Sequence, residues 1–239
     1  MSKIDELMAK HCPNGVEFKP LGDICRIKTG EAVSKLDISS NPGEFPVINS
    51  GRDPLGFIDR WNTEDDPIGI TSRGAGVGSI TWCEGRYYRG NLNYSATIKD
   101  RKKLSVRFLY FLLECYQMEI QSLATYDGIP ALNKSNLEKL EIPVPHPEIQ
   151  QEIVKVLDAF TELEAELEAE LEAELEARRR QYKHYRDALL AFDEHGVSAS
   201  KQASKQASKQ ASKQASKQAS KQASKQASKR KVGGDGVNS

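Results

Sequence analysis

Apolar positions over the first 146 residues come in short runs broken by turn-forming residues. "FPVINSG", "DPIGITS", "GSITWCEG" and "NLNYSATIK" each set a few β-branched or aromatic residues between Gly, Pro, Asn and Asp, which predicts short strands joined by turns. One stretch differs. From Leu104 to Leu123, "LSVRFLYFLLECYQMEIQSL" has helical length and apolar residues on most sides, so a single, largely buried helix is expected. "LNKSNLEKLEIPVPHP" then predicts a short capped turn, a strand and a proline break. Strands and helices mixed in this way predict an α+β domain over 1–146.

The pattern changes at Pro147, a residue suited to the first helical position, with Glu148 in the first turn. No helix breaker follows until Gly196, so one helix over 147–195 is expected, a rod of roughly 70 Å. Ile149, Ile153, Val156, Phe160, Leu163 and Leu167 alternate steps of four and three, and Tyr182, Tyr185, Leu189 and Phe192 resume the alternation. That is a coiled-coil seam and predicts a packed helix partner. Between Leu163 and Leu175 the unit "LEAE" repeats and every step is four, so the apolar row drifts around the helix.

Residues 196–239 form a third segment, "ASKQ" seven times from Ala199 and then "ASKR". With no aromatic residue and little to bury, it is expected to be disordered. Ala-Ser-Lys-Gln can be encoded as GCA-AGC-AAG-CAA, the tetranucleotide GCAA three times over. Every frame of such a tract gives the same four amino acids and no stop. Slippage by one unit would preserve the repeat and change every residue encoded after it, which predicts phase variation at "KVGGDGVNS". Codons that do not spell GCAA would end that idea.

The 34 basic and 34 acidic residues cancel only in the sum. Met1 to Phe160 carries 19 Lys and Arg against 22 Asp and Glu, Glu162 to Glu176 adds eight glutamates, and the tail from Lys201 adds ten bases and one acid. The globular part therefore lacks the overall basic footprint of many nucleic-acid binders. Cys12, Cys25, Cys83 and Cys115 match neither a zinc spacing nor a disulfide framework, so no metal is expected. No apolar run approaches the ~18 residues of a membrane span, and the N-terminus has no signal-peptide stretch; a cytoplasmic chain with no membrane partner is expected.

"TSRGAGVGSI" holds GxGxG, but a dinucleotide loop needs GxGxxG between a strand and a helix. Here a second strand follows, so a glycine-rich hairpin carrying Arg73 is the better reading. The chain has no nucleophile motif, HExxH or Walker loop, and its four histidines are scattered, so no catalysis is expected.

"PLGDICRIKTG", "FPVINSG", "ITSRGAGVGSITW" and "GIPALNKSNLEKLEIPVPHPEIQQEIVKVLDAF" resemble the target-recognition domains of type I restriction-modification specificity subunits. "ARRRQYKHYRDALLAF" resembles the end of that family's spacer helix, and the resemblance spans roughly Leu21 to Phe192. It implies two recognition domains, each reading half of a bipartite DNA target, held apart by two antiparallel helices. It also implies methyltransferase subunits as partners, which bind the cofactor S-adenosylmethionine so that this chain needs none, and restriction subunits that can join them. One recognition domain and one helix are legible here, a half-subunit pattern, so an antiparallel homodimer reading a palindromic target on double-stranded DNA is expected.

The loop positions able to reach phosphate or base edges are Lys28, Thr29, Arg52, Ser72, Arg73, Arg86, Tyr87, Arg89, Asn91, Tyr126 and Lys134. Arginine suits guanine and asparagine suits adenine, while lysine more often positions on phosphate. Two alternatives stay open: a coiled-coil protein-interaction module, and an inactive truncation made by a slipped frame.

Overall fold

The computed structural model describes residues 2–51 and 53–191, together with 208, 209, 212, 213 and 216. Contacts divide the chain into two compact units, Met1–Thr161 and Glu162–Ser239. The first unit opens with α1 (Lys3–His11), β1 (Phe18–Pro20), α2 (Leu21–Ile24), β2 (Cys25–Thr29), α3 (Lys35–Ser40) and β3 (Pro42–Ile48). Next come β4 (Phe57–Ile58), β5 (Ile68–Thr71), β6 (Ile80–Trp82), β7 (Tyr88–Arg89) and β8 (Asn93–Ile98). Then come α4 (Val106–Cys115), α5 (Gln117–Ser122), β9 (Ala124–Thr125), β10 (Ala131–Leu132), α6 (Lys134–Glu138), β11 (Glu141–Pro143) and α7 (Pro147–Leu190). The α+β reading is borne out.

An antiparallel sheet ordered β2–β8–β5–β6 carries the main core. In β2, Cys25 and Ile27 point inward while Arg26 and Lys28 are exposed, the period of two expected of a half-covered strand. Burial pushes the Cys25 thiol up to about 12, as befits an inert core residue. Strand β5 is central and buried at every position, so "IGIT" has no polar face. A smaller sheet, β4–β3–β7, pairs β3 with β7 in parallel and surrounds a second cluster of Ile38, Val47, Ile58 and Tyr88.

The single helix expected over Leu104–Leu123 is two helices. The backbone leaves helical geometry at Tyr116 (φ −87°, ψ 12°), and α5 starts afresh. Ile120 in α5 nevertheless joins Phe108, Leu109 and Leu113 of α4 in the same core.

Helix α7 begins at Pro147, as its sequence predicts. His146 accepts the first bonds, from the amides of Ile149 (2.9 Å) and Gln150 (3.2 Å). Gln150 is 1% exposed and saturated: its Oε1 accepts from the Ser105 amide (2.8 Å), and its Nε2 donates to the carbonyls of Lys103 (2.8 Å) and Pro145 (2.7 Å). Ile149 is 1% exposed, and Ile153 and Val154 pack on the main core. Two of the predicted seam positions, Ile149 and Ile153, are therefore covered by the chain's own domain and are not free for a partner helix. Val156 and Phe160 are exposed in the first unit, and Leu163, Leu167, Leu171, Leu175 and Tyr182 in the second; Tyr185 and Leu189 are half-buried. Phe192 lies outside the described residues.

Most of the ASKQ segment also lies outside them. Five residues are described there, Ser208, Lys209, Ser212, Lys213 and Ser216, each with helical backbone. Ala, Lys and Gln are good helix formers, and the Ser212 and Ser216 hydroxyls donate to the carbonyls of Ser208 (2.8 Å) and Ser212 (2.6 Å).

Candidate nucleic-acid interface

Five loops meet beside the main sheet, tied mainly by backbone hydrogen bonds. The hairpin after β5 is bonded to the loop before β8 (Ser72 amide to Leu92 carbonyl, 2.8 Å) and to the turn before β10 (Gly74 amide to Pro130 carbonyl, 2.9 Å). Gly30, just past β2, donates to Asn93 (3.2 Å), and Gly90 donates to Ile48 at the end of β3 (2.7 Å). The Asn49 side chain adds a bond from the Leu92 amide (3.0 Å). Residues 28–30, 49–51, 72–78, 90–92 and 126–132 thus form one connected edge.

The glycine-rich run is the expected hairpin, since β5 and β6 are antiparallel neighbours. Gly78 has φ +79°, and a Cβ there would stand 2.7 Å from Gln121 Cγ, so only glycine closes this turn against α5. Val77 anchors the loop in the core at 4% exposure, which leaves Arg73 to project. Among the described residues Arg73 makes no side-chain hydrogen bond or ion pair, and neither does Lys28. Lys28, Thr29, Arg73, Asn91 and Tyr126 are all exposed on this edge.

Other predicted contact residues are placed differently. Arg89 is 3% exposed and Tyr87 is 1%. The Arg89 guanidinium donates to the carbonyls of Ile68 (3.0 Å), Tyr94 (3.0 Å) and Asp66 (2.7 Å), to Asn93 Oδ1 (2.7 Å) and to the Tyr87 hydroxyl. Tyr87 in turn donates to the Asp66 carbonyl (2.7 Å), and burial raises its phenol well above the usual range. Both side chains are committed to bonds inside the domain. Ser72 is 7% exposed and contributes backbone only. Arg86 pairs with Glu64 (2.8 Å) and lies over the Trp61 ring (4.7 Å), and Lys134 pairs with Glu138 (3.6 Å). Arg52 lies outside the described residues.

The profile of the family described as "Type I restriction modification DNA specificity domain" matches residues 13–177. This chain belongs to that family. A Mycoplasma pneumoniae protein named as the N-terminus of a type I specificity subunit is 35% identical over 177 residues, covering 70% of this chain and 92% of that one. The specificity subunit of the M. pneumoniae type I restriction enzyme MpnII is 30% identical over 169 residues, 70% of this chain and 50% of its own length. The crystal structure of a type I restriction-modification S subunit from M. genitalium superposes with TM-score 0.59 at 26% identity, covering 76% of this chain and 48% of that one. Against these two full subunits the chain spans about half the length.

Two further clusters of the specificity domain bear on chemistry. A cleft beside β2 is lined by groups of both signs, Lys28, Arg89 and Arg101 together with Glu31, Glu64, Asp65 and Asp66. Where the end of α1 meets the start of α7, His11, His146 and Glu148 each offer a ligand atom within 4.8 Å of the others. The two rings, however, stack in parallel planes (3.9 Å between centroids, 5° apart), so no ion can lie in both ring planes as imidazole ligation requires. His146 Nδ1 also faces the Glu148 amide (3.4 Å). With Lys3–Glu152 (2.6 Å) and His11–Glu148 (3.2 Å), this cluster reads as a strap holding α1 along the first turns of α7. No helix among the described residues is long and apolar enough to cross a membrane.

Proposed function

We propose that this chain is a non-catalytic specificity subunit that reads one half of a bipartite DNA target and directs methyltransferase subunits to it. The observation that carries this reading is the connected edge of five loops with an unpaired, exposed Arg73 on the first arm of its hairpin. An uncommitted guanidinium held on rigid backbone is the arrangement that reads guanine, whereas Lys28 nearby suits a phosphate. Methyl transfer belongs to the partner subunits, which bind S-adenosylmethionine; restriction subunits join the same assembly.

The exposed row Phe160, Leu163, Leu167, Leu171, Leu175 and Tyr182 supports a helix partner, for an apolar row of this length in water calls for cover. A second copy laid antiparallel supplies it and sets two identical recognition domains on a two-fold axis. Such a dimer reads the same half-site on opposite strands, so the methylated motif is expected to be an interrupted palindrome. Methylome sequencing of cells with and without the gene tests both statements. Disappearance of one palindromic motif supports them; two unrelated half-sites would replace the homodimer with a pairing of two different specificity chains, and an unaltered methylome would refute the function.

Arg73→Ala is expected to weaken binding to that motif by ~1–3 kcal/mol relative to unrelated DNA. Competition binding with motif and scrambled duplexes measures the difference. An equal loss on both duplexes would make Arg73 a phosphate contact.

A further inference from the structure

The turn between β9 and β10 carries two large apolar side chains in the open. Tyr126 is 60% exposed and Ile129 is 70%, while Leu132, three residues on, is 2% exposed in the core. The turn is tightly built: Gly128 donates to the Tyr126 carbonyl (2.9 Å), and Ala131 pairs with Thr125 across the strands. Gly128 has φ +98° with nothing within 4 Å of a Cβ, which places it at a free tip. The base of the turn is fixed to the Arg73 hairpin by the bonds from Gly74 to Pro130 and from Leu132 to Ser72, and Arg73 itself bridges to Ala131.

A rigid turn that holds isoleucine in water beside an unpaired arginine has not been shaped to cover a core. Nor is it shaped for the DNA backbone, since "YDGI" offers Asp127 and no cation, and a carboxylate repels phosphate. An apolar side chain has one apolar feature to meet on the major-groove edges of the bases, the C5 methyl group of thymine. We infer that the Tyr126–Ile129 turn is a second reader next to Arg73, in which Ile129 packs on a thymine methyl of the half-site. This rests on the reading above that the five-loop edge faces DNA.

The test uses the full chain assembled with its methyltransferase subunits and labelled duplexes carrying the motif found by methylome sequencing. Each thymine of the half-site is replaced in turn by deoxyuridine, which deletes only the methyl group. Binding of the unsubstituted protein is expected to fall about four-fold at one thymine, the effect of exposing one methyl-sized apolar group. Ile129→Ala, a change at an exposed position, is expected to bind the thymine and deoxyuridine duplexes alike. Indifference of the parent protein to every deoxyuridine, retained discrimination in Ile129→Ala, or a half-site without thymine would each overturn the inference. Arg73→Ala separates the two levels: if it abolishes preference for the motif while deoxyuridine has no effect, the second reader fails and the function stands. If neither variant alters that preference, the five-loop edge is not the reading surface and the inference falls with it.

Discussion

Arg89→Met is expected to destabilise the recognition domain by about 3–5 kcal/mol, a cost typical of breaking a buried charged network from one side. Methionine fills much of the volume but donates nothing. The carbonyls of Ile68, Tyr94 and Asp66 and the Asn93 amide oxygen would stay buried, with those four bonds lost. The Asp66 carboxylate, 3.8 Å from the guanidinium, would lose its nearby cation as well. Those acceptors lie on β5, β8 and the segment before β5, so the loss loosens the sheet that carries the five loops. Urea unfolding followed by tryptophan fluorescence measures the change, with Trp61 and Trp82 as reporters. A shift below about 1 kcal/mol would mean that water replaces the guanidinium and that the network is not structural.

Altering the number of LEAE units is expected to change the spacing of the methylated motif and leave its half-sites intact. In the proposed dimer, the helix between two DNA-reading domains sets their separation, and its side chains need only stay helical and keep a tolerable seam. Leu, Glu and Ala are all good helix formers. One unit adds ~6 Å of helix, whereas successive base pairs lie ~3.4 Å apart, so one unit more or less corresponds to one to a few base pairs. Four residues turn the helix about 40° beyond a full turn, a rotation the domains must absorb. Variants with one unit removed and one unit inserted between Leu163 and Leu175, read by methylome sequencing, decide the matter. The same bases at a new spacing support a ruler; unchanged spacing in both variants would leave the repeats without that role.

Much of the domain was legible because turns announce themselves. Gly, Pro, Asn and Asp bracket β3, β5, β6 and β8, and the GxGxG run is a hairpin because a strand comes after it. The break at Tyr116 was not legible: apolar residues on most sides of a helix hide which face turns inward. In "GRYYRGNLN", Tyr87, Tyr88 and Arg89 are all buried in succession, without the alternation that would separate inside from outside. Arg89 and Arg73 look alike as letters, and only the acceptors gathered around one of them tell a structural arginine from a free one. The seam posed a similar difficulty, since steps of four and three do not say whether Ile149 and Ile153 meet another helix or the domain's own core. Ile129 was hidden too, because an isoleucine between Gly and Pro reads as ordinary loop filler until its exposure is known.

The five loops are bonded mainly backbone to backbone, and this has a bearing on how such a domain acquires new targets. Side chains at the tips can be exchanged while the amides and carbonyls beneath them keep their partners, so most such exchanges should change stability by no more than about 0.5 kcal/mol. If the tips read DNA as proposed, a population of these chains can drift from one recognised sequence to another by single substitutions at Lys28, Arg73, Asn91 or Ile129, each intermediate remaining a folded protein. Innovation is cheap at the rim because the scaffold is indifferent to it.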